Sequence, residues 1–163
     1  MMTKISKKPN FNIITKNKHA YHEYFIEKEF EAGLVLQGWE VKSLRAGKVN
    51  ISESYILLYE KEAYLLGSTL QPLIYVSNSC SPDPKRRRKL LLTKPEINYL
   101  YYNNKQKGYT IIALSMYWKN ALCKLKIGIS HGKKKHDKRN EIKNREWKIN
   151  KSRILKNTKI TKD

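Results

Sequence analysis

Apolar and polar positions change period several times along this chain, and each change marks a predicted element. Residues 24–36 are rich in aromatic and β-branched side chains, with Phe30, Ala32, Leu34 and Leu36 alternating against Glu31, Gly33 and Val35. That period of two predicts a long, partly buried strand, which Gly33 allows to bend. Over residues 38–46 the spacing of Trp39, Val41 and Leu44 becomes nearly helical before a stop at Gly47, so a short helix follows. Residues 54–59 and 63–70 are apolar, aromatic runs joined by Glu60-Lys61-Glu62, the pattern of a hairpin. Residues 77–89 lose all periodicity, with two prolines and a basic run that includes Arg86, Arg87, Arg88 and Lys89, and read as an exposed, mobile loop with solvated cations. Thr93 and Glu96 are spaced as a capping box around Pro95, and Ile97, Leu100 and Tyr101 share a face of the helix predicted to end near Gly108. Residues 109–118 and 122–130 form the clearest hairpin, turning at Lys119-Asn120-Ala121. In its second strand Leu125, Ile127 and Ile129 alternate with Lys124, Lys126 and Gly128.

Five or six short strands leave edges that closure removes, so the economical assembly is mainly β: an antiparallel barrel with two short helices. At 163 residues and 40% hydrophobic content, the chain fills one modest core. The expected organisation is a flexible basic N-terminus over residues 1–18, a β-barrel over 19–131 and a basic tail over 132–163.

Charge adds the partner. Thirty-four Lys and Arg against fourteen Asp and Glu give +20, and the tail alone carries thirteen basic against four acidic residues from Gly132 onward. Its apolar residues, Ile142, Trp147, Ile149, Ile154 and Leu155, are too sparse for a core, so a polyanion is needed to order it. A membrane-surface helix would concentrate more apolar bulk on one face. No run reaches the ~18 apolar residues of a membrane span, and residues 1–18 lack the apolar region of a signal peptide, so a cytoplasmic protein is expected, with an RNA or DNA surface as its partner. Cys80 and Cys123 form no C-x-x-C pair and read as reduced thiols. His19, His22, His131 and His136 have poor spacing for a metal, and no cofactor is expected. Two further readings stay open: a general barrel-type RNA-binding or ribosome-associated module, and a histidine ribonuclease using His22.

Several motifs carry a resemblance: His22-Glu-Tyr-Phe-Ile-Glu, Phe30-Glu-Ala-Gly-Leu, Gly38-Trp-Glu-Val-Lys-Ser-Leu-Arg45-Ala-Gly, Arg88-Lys-Leu-Leu-Leu, Leu114-Ser-Met-Tyr-Trp-Lys-Asn and Gly132-Lys-Lys-Lys-His-Asp-Lys-Arg139. In order and spacing, over roughly residues 17–156, the chain resembles the SsrA-binding protein (small protein B) family of bacterial trans-translation. The resemblance implies an oligonucleotide-binding-fold barrel that binds the tRNA-like part of transfer-messenger RNA, and a tail that enters the decoding centre and empty message channel of a stalled ribosome. It implies RNA contacts at His22, Glu31, Arg45, Tyr55, Leu91, Lys124, Gly132, Lys133 and Lys134. It implies ribosomal contacts to small-subunit rRNA at His136, Asp137, Lys138, Arg139, Lys143, Arg145 and Trp147. Alanyl-tRNA synthetase and elongation factor Tu would act on the same RNA. Tyr21, where the family pattern has a basic residue, and residues 156–163 depart from it.

The chemistry of these residues fits RNA. Lys124 and Lys126 share a strand face that a phosphate backbone can lie across. Glu31 can accept from a base edge or orient a neighbouring arginine; its plainer role is a surface ion pair worth ~0–1 kcal/mol. Tyr24, Tyr55, Trp39 and Trp118 can stack on bases, although packing is the commoner use of a large aromatic. His136 offers an aromatic, hydrogen-bonding group to rRNA. Asp137 suits a helix N-cap, Glu141 and Arg145 stand four apart, and Ile142 and Ile149 share a stripe. A tail helix over residues 137–155 would span ~28 Å and fray in free solution, becoming helical on binding.

Overall fold

The computed structural model describes residues 12–73, 82–105 and 108–160. The chain divides into two units, Met1–His131 and Gly132–Asp163. The first runs β1 (Asn12–Lys16), α1 (Lys18–Glu23), β2 (Tyr24–Leu34), α2 (Gly38–Arg45), β3 (Val49–Asn50), β4 (Tyr55–Tyr59), β5 (Glu62–Leu66), β6 (Thr69–Leu70), β7 (Arg88–Leu91), α3 (Lys94–Asn104), β8 (Tyr109–Lys119) and β9 (Leu122–Gly132). After it comes α4 (Lys135–Ile160).

Strand order β1-β8-β4-β5-β7-β2-β9, with β9 also bonded to β8, closes six strands into a barrel and leaves β1 beside β8. β8 serves several partners: β9 along its length, β4 at Ile112 and β1 at Ser115, Met116, Tyr117 and Trp118. The predicted alternation is what closure uses. Ala63 and Leu65 of β5, with Cys123, Leu125, Ile127 and Ile129 of β9, enter the core, while Lys124 and Lys126 stay half-exposed. Burial pushes the Cys123 thiol up to about 12, so it behaves as a small apolar group; Cys80 lies outside the described residues. Both hairpins turn on two residues with positive φ, Glu60 (47°) with Lys61 (60°) and Asn120 (49°) with Ala121 (64°), the turn whose twist matches its flanking strands. The Tyr101 hydroxyl of α3 accepts from the Lys61 N–H at 3.0 Å. The capping box of Thr93 and Glu96 is formed. Trp39 and Trp118 pack partly buried against the core.

Two regions depart from the sequence expectation. The lead-in read as flexible through residue 18 instead forms β1 from Asn12 and begins α1 at Lys18. Asn17 explains why. It is 2% exposed, its Oδ1 accepts from Ala20 N–H at 2.9 Å, and its Nδ2 donates to the carbonyls of Ile51, Ser52 and Ala113 at 3.0–3.1 Å. A bulge between Ala113 and Ser115 frees Leu114 from the barrel's alternation. Leu114 then packs with Ala20 and Ile112 in a second cluster, which seats α1.

The second departure is the basic run. Arg88 and Lys89 belong to β7, not to a loop, and Arg88 is 0% exposed. Its guanidinium donates to Glu40 Oε1 at 2.8 Å, to the Ser68 carbonyl and hydroxyl, and to the carbonyls of Arg86 and Pro84. Glu40, equally buried, also takes Arg86 at 2.7 Å and caps α2 through the Gln37 N–H at 2.6 Å. A charge pair buried this deeply is tolerated because all three guanidinium nitrogens and both carboxylate oxygens have hydrogen-bond partners. Of the rest of the expected loop, residues 82–87 are described and lie outside any strand or helix, and residues 77–81 lie outside the described residues.

Candidate nucleic-acid interface

Because β7, β2 and β9 are neighbours, their outward positions make one face. On β2 that face carries Glu29 and Glu31, since Ala32 points into the core; on β9 it carries Lys124 and Lys126. Lys126 pairs with Glu29 at 2.9 Å and Lys119 with Glu31 at 2.8 Å. The Tyr117 hydroxyl, from 86 residues away, donates to Glu31 at 2.6 Å. The bonds from Lys119 and then Tyr117 hold the Glu31 carboxyl below the usual range, with a smaller contribution from the charge of Lys124. Burial, followed by the bond to Glu31, raises the Tyr117 phenol well above its ordinary value. Glu31 is thus an ionised acceptor engaged by a lysine and a tyrosine, not by an arginine.

Leu91 stands opposite Gly33 on the same face and is 55% exposed. A side chain at Gly33 would bring a Cβ within 3.2 Å of the Leu91 Cβ, so glycine there lets the strands pair with Leu91 turned out. Glu31, Leu91 and Lys124 therefore come together.

The other predicted barrel residues do not join them. Tyr55 lines a smaller cleft of about 360 Å3 with Asn17, His19, Tyr24 and Glu53. His22 lies in the last turn of α1 and meets Glu23 at 3.1 Å. Arg45 stands exposed in the last turn of α2. The His131 ring lies 5.1 Å from Phe25 and 5.8 Å from Tyr109. Among the described residues no group of three or more His, Cys, Asp or Glu is placed to hold a metal, and no helix is long and apolar enough to cross a membrane.

A larger cleft of about 650 Å3 opens beside Glu31, lined by Ile13, Lys16, Tyr21, Glu29, Tyr117 and Lys126 among others. Sequence reading missed Glu29, Tyr21, Tyr117 and Lys119 as part of this surface. The period of β2 does put Glu29 on the side of Glu31, and that signal was available; the tyrosine and lysine arrive only through closure.

The second unit is α4, extending at both ends beyond the 137–155 span of the sequence reading. Gly132 ends β9, and Lys133 and Lys134 lead into the helix. Asp137 sits in the first turn, where a carboxylate complements the positive helix end. Asp137, Arg139, Lys143 and Trp147 are exposed, Trp147 by 62%, and Lys151 lies 4.9 Å from the Trp147 ring, one turn on. The side chains of His136, Lys138 and Arg145 lie outside the described ones.

The family model described as SmpB protein matches residues 14–157, spanning both units. The chain belongs to the SmpB family. A solved structure presented as "tmRNA-SmpB: a journey to the center of the bacterial ribosome" is similar to it at 39% identity and a TM-score of 0.62, covering 74% of this chain and 85% of the other. The SmpB match runs from β1 well into α4.

Proposed function

We propose that this chain binds the tRNA-like part of transfer-messenger RNA through its barrel and delivers it to stalled ribosomes for trans-translation. The tail occupies the decoding centre and the empty message channel. What carries this reading is the SmpB match across both units, together with likeness to a transfer-messenger RNA complex described with the bacterial ribosome. The barrel is the RNA-binding element: Glu31, Leu91 and Lys124 supply a polar and apolar face, with His22, Arg45, Tyr55, Gly132, Lys133 and Lys134 extending the contact. On the tail, His136, Asp137, Lys138, Arg139, Lys143, Arg145 and Trp147 meet small-subunit rRNA. A helix of 26 residues reaches about 39 Å at ~1.5 Å per residue, enough to run along a channel.

In this reading the chain is a binding protein, not an enzyme. It works in the cytoplasm, and alanyl-tRNA synthetase and elongation factor Tu act on the RNA it holds. Sequencing RNA recovered with the chain from its own cells tests the assignment. Transfer-messenger RNA should dominate; a broad mixture of structured RNAs would instead support a general RNA-binding module.

A further inference from the structure

The two carboxylates that line the 650 Å3 cleft differ in how fully they are used. Glu31 Oε2 accepts from Tyr117 and Lys119, and Oε1 from Lys119. Glu29 Oε2 accepts from Lys126 at 2.9 Å, but its Oε1 meets the Tyr21 hydroxyl only at 3.4 Å, well beyond the ~2.7–2.8 Å of a good O–H···O bond. An ionised carboxylate has about four acceptor sites, so Glu29 keeps capacity at the cleft that Glu31 has committed. Around it stand the exposed ring of Tyr21 and the exposed Ile13 as apolar walls, with Lys16 and Lys126 as cations. The cleft's size falls in the ~300–1,000 Å3 range of small-molecule sites.

Apolar walls for a flat face, an acceptor pair for an edge and lysines for phosphates are the needs of an unpaired nucleotide. The acceptor pair chooses the base. Guanine alone presents two adjacent donors, N1–H and the N2 amino group, on its Watson–Crick edge. Adenine and cytosine set a ring acceptor beside their amino group, and uracil has one N–H between two carbonyls. We propose that this cleft receives one unpaired guanine of the bound RNA, with Glu29 accepting from its Watson–Crick edge and Tyr21 against its face. Glu31 then acts as a positioning residue that holds Tyr117 and Lys119. This inference rests on the reading of the chain as a binder of tRNA-like RNA.

The test uses the full chain and the tRNA-like fragment of transfer-messenger RNA, with ordinary tRNA as control. Glu29→Gln should weaken binding about tenfold, the scale of one bidentate base contact, with an unchanged melting temperature because Glu29 is exposed. Tyr21→Ala, which removes the ring from the cleft wall, should also bind more weakly. Replacing unpaired guanosines one at a time by inosine, which lacks the N2 amino group, should reveal one position that weakens the parent chain but has no further effect on Glu29→Gln. Parent-like binding by Glu29→Gln overturns the pocket while leaving the RNA reading intact. A loss with no coupled inosine position also overturns it, returning Glu29 to the role of a Lys126 partner. A parent chain that does not prefer the fragment over tRNA would overturn the underlying reading and the pocket with it.

Discussion

The barrel and the tail helix are built from the same basic composition yet stand at opposite limits of self-sufficiency. The barrel buries Leu65, Leu125, Ile127 and Ile129 completely or nearly so, and even its deepest charges, Glu40 and Arg88, find partners within the unit. The tail leaves Ile142, Trp147, Ile149 and Ile154 exposed along its helix. A surface that must hold RNA before the ribosome is reached needs preformed geometry. A segment that recognises a channel only after docking does not, because the channel supplies the missing packing.

The strongest way to break this comparison is to stop the chain after His136. Binding of the tRNA-like RNA should remain, while peptidyl transfer to alanyl transfer-messenger RNA on ribosomes with truncated message should be abolished; Lys138→Ala with Arg139→Ala should reproduce part of that defect. Normal transfer would remove the tail from the mechanism, and a matching collapse of RNA binding would move the boundary between the units. Hydrogen exchange sharpens the same contrast. Amides from Ile142 to Ile154 should exchange fast in the isolated chain and slow on the ribosome, whereas slow exchange in both would make the helix self-supporting.

Within the barrel, Arg88→Ala leaves Glu40 charged and buried without its main partner, and should lower unfolding free energy by ~3–5 kcal/mol in denaturant titrations. No tail substitution should approach that. A small effect would mean that water or Arg86 can take over. Lys124→Ala should reduce RNA affinity and shrink the slope of log affinity against log salt by ~0.7–0.9 if it meets a phosphate. Unchanged values would return it to a solvated face. The smallest effect concerns Glu31. Its folded-state carboxyl is held below the usual range by Lys119 and Tyr117, so its contribution is present above the unfolded value and lost as pH falls through the lower folded one. The stability gap between parent and Glu31→Gln should therefore close as pH drops below about 4; a gap that persists in acid would indicate a contact independent of charge.

Much of the proposed RNA-binding face was legible from local pattern, since the period of β2 and β9 decides which side Glu31 and Lys124 occupy. What Glu31 touches was not, because Tyr117 lies 86 residues away and reaches it only when β2 pairs with β9 and so lies beside the β8–β9 hairpin. The sequence by itself determined β2, β4, β5, β8 and β9, the capped α3, the two hairpin turns, the thin apolar content of the tail and the membership in a family, all properties of neighbouring residues or of ordered motifs. Tertiary structure alone decided that Asn17 is a buried clasp and that Arg88 in a basic run is core. The physical reason is the same for both: a polar group can leave water only where distant segments bring it enough partners, and a run of charges, read locally, carries no record of the Glu40 that waits 48 residues earlier.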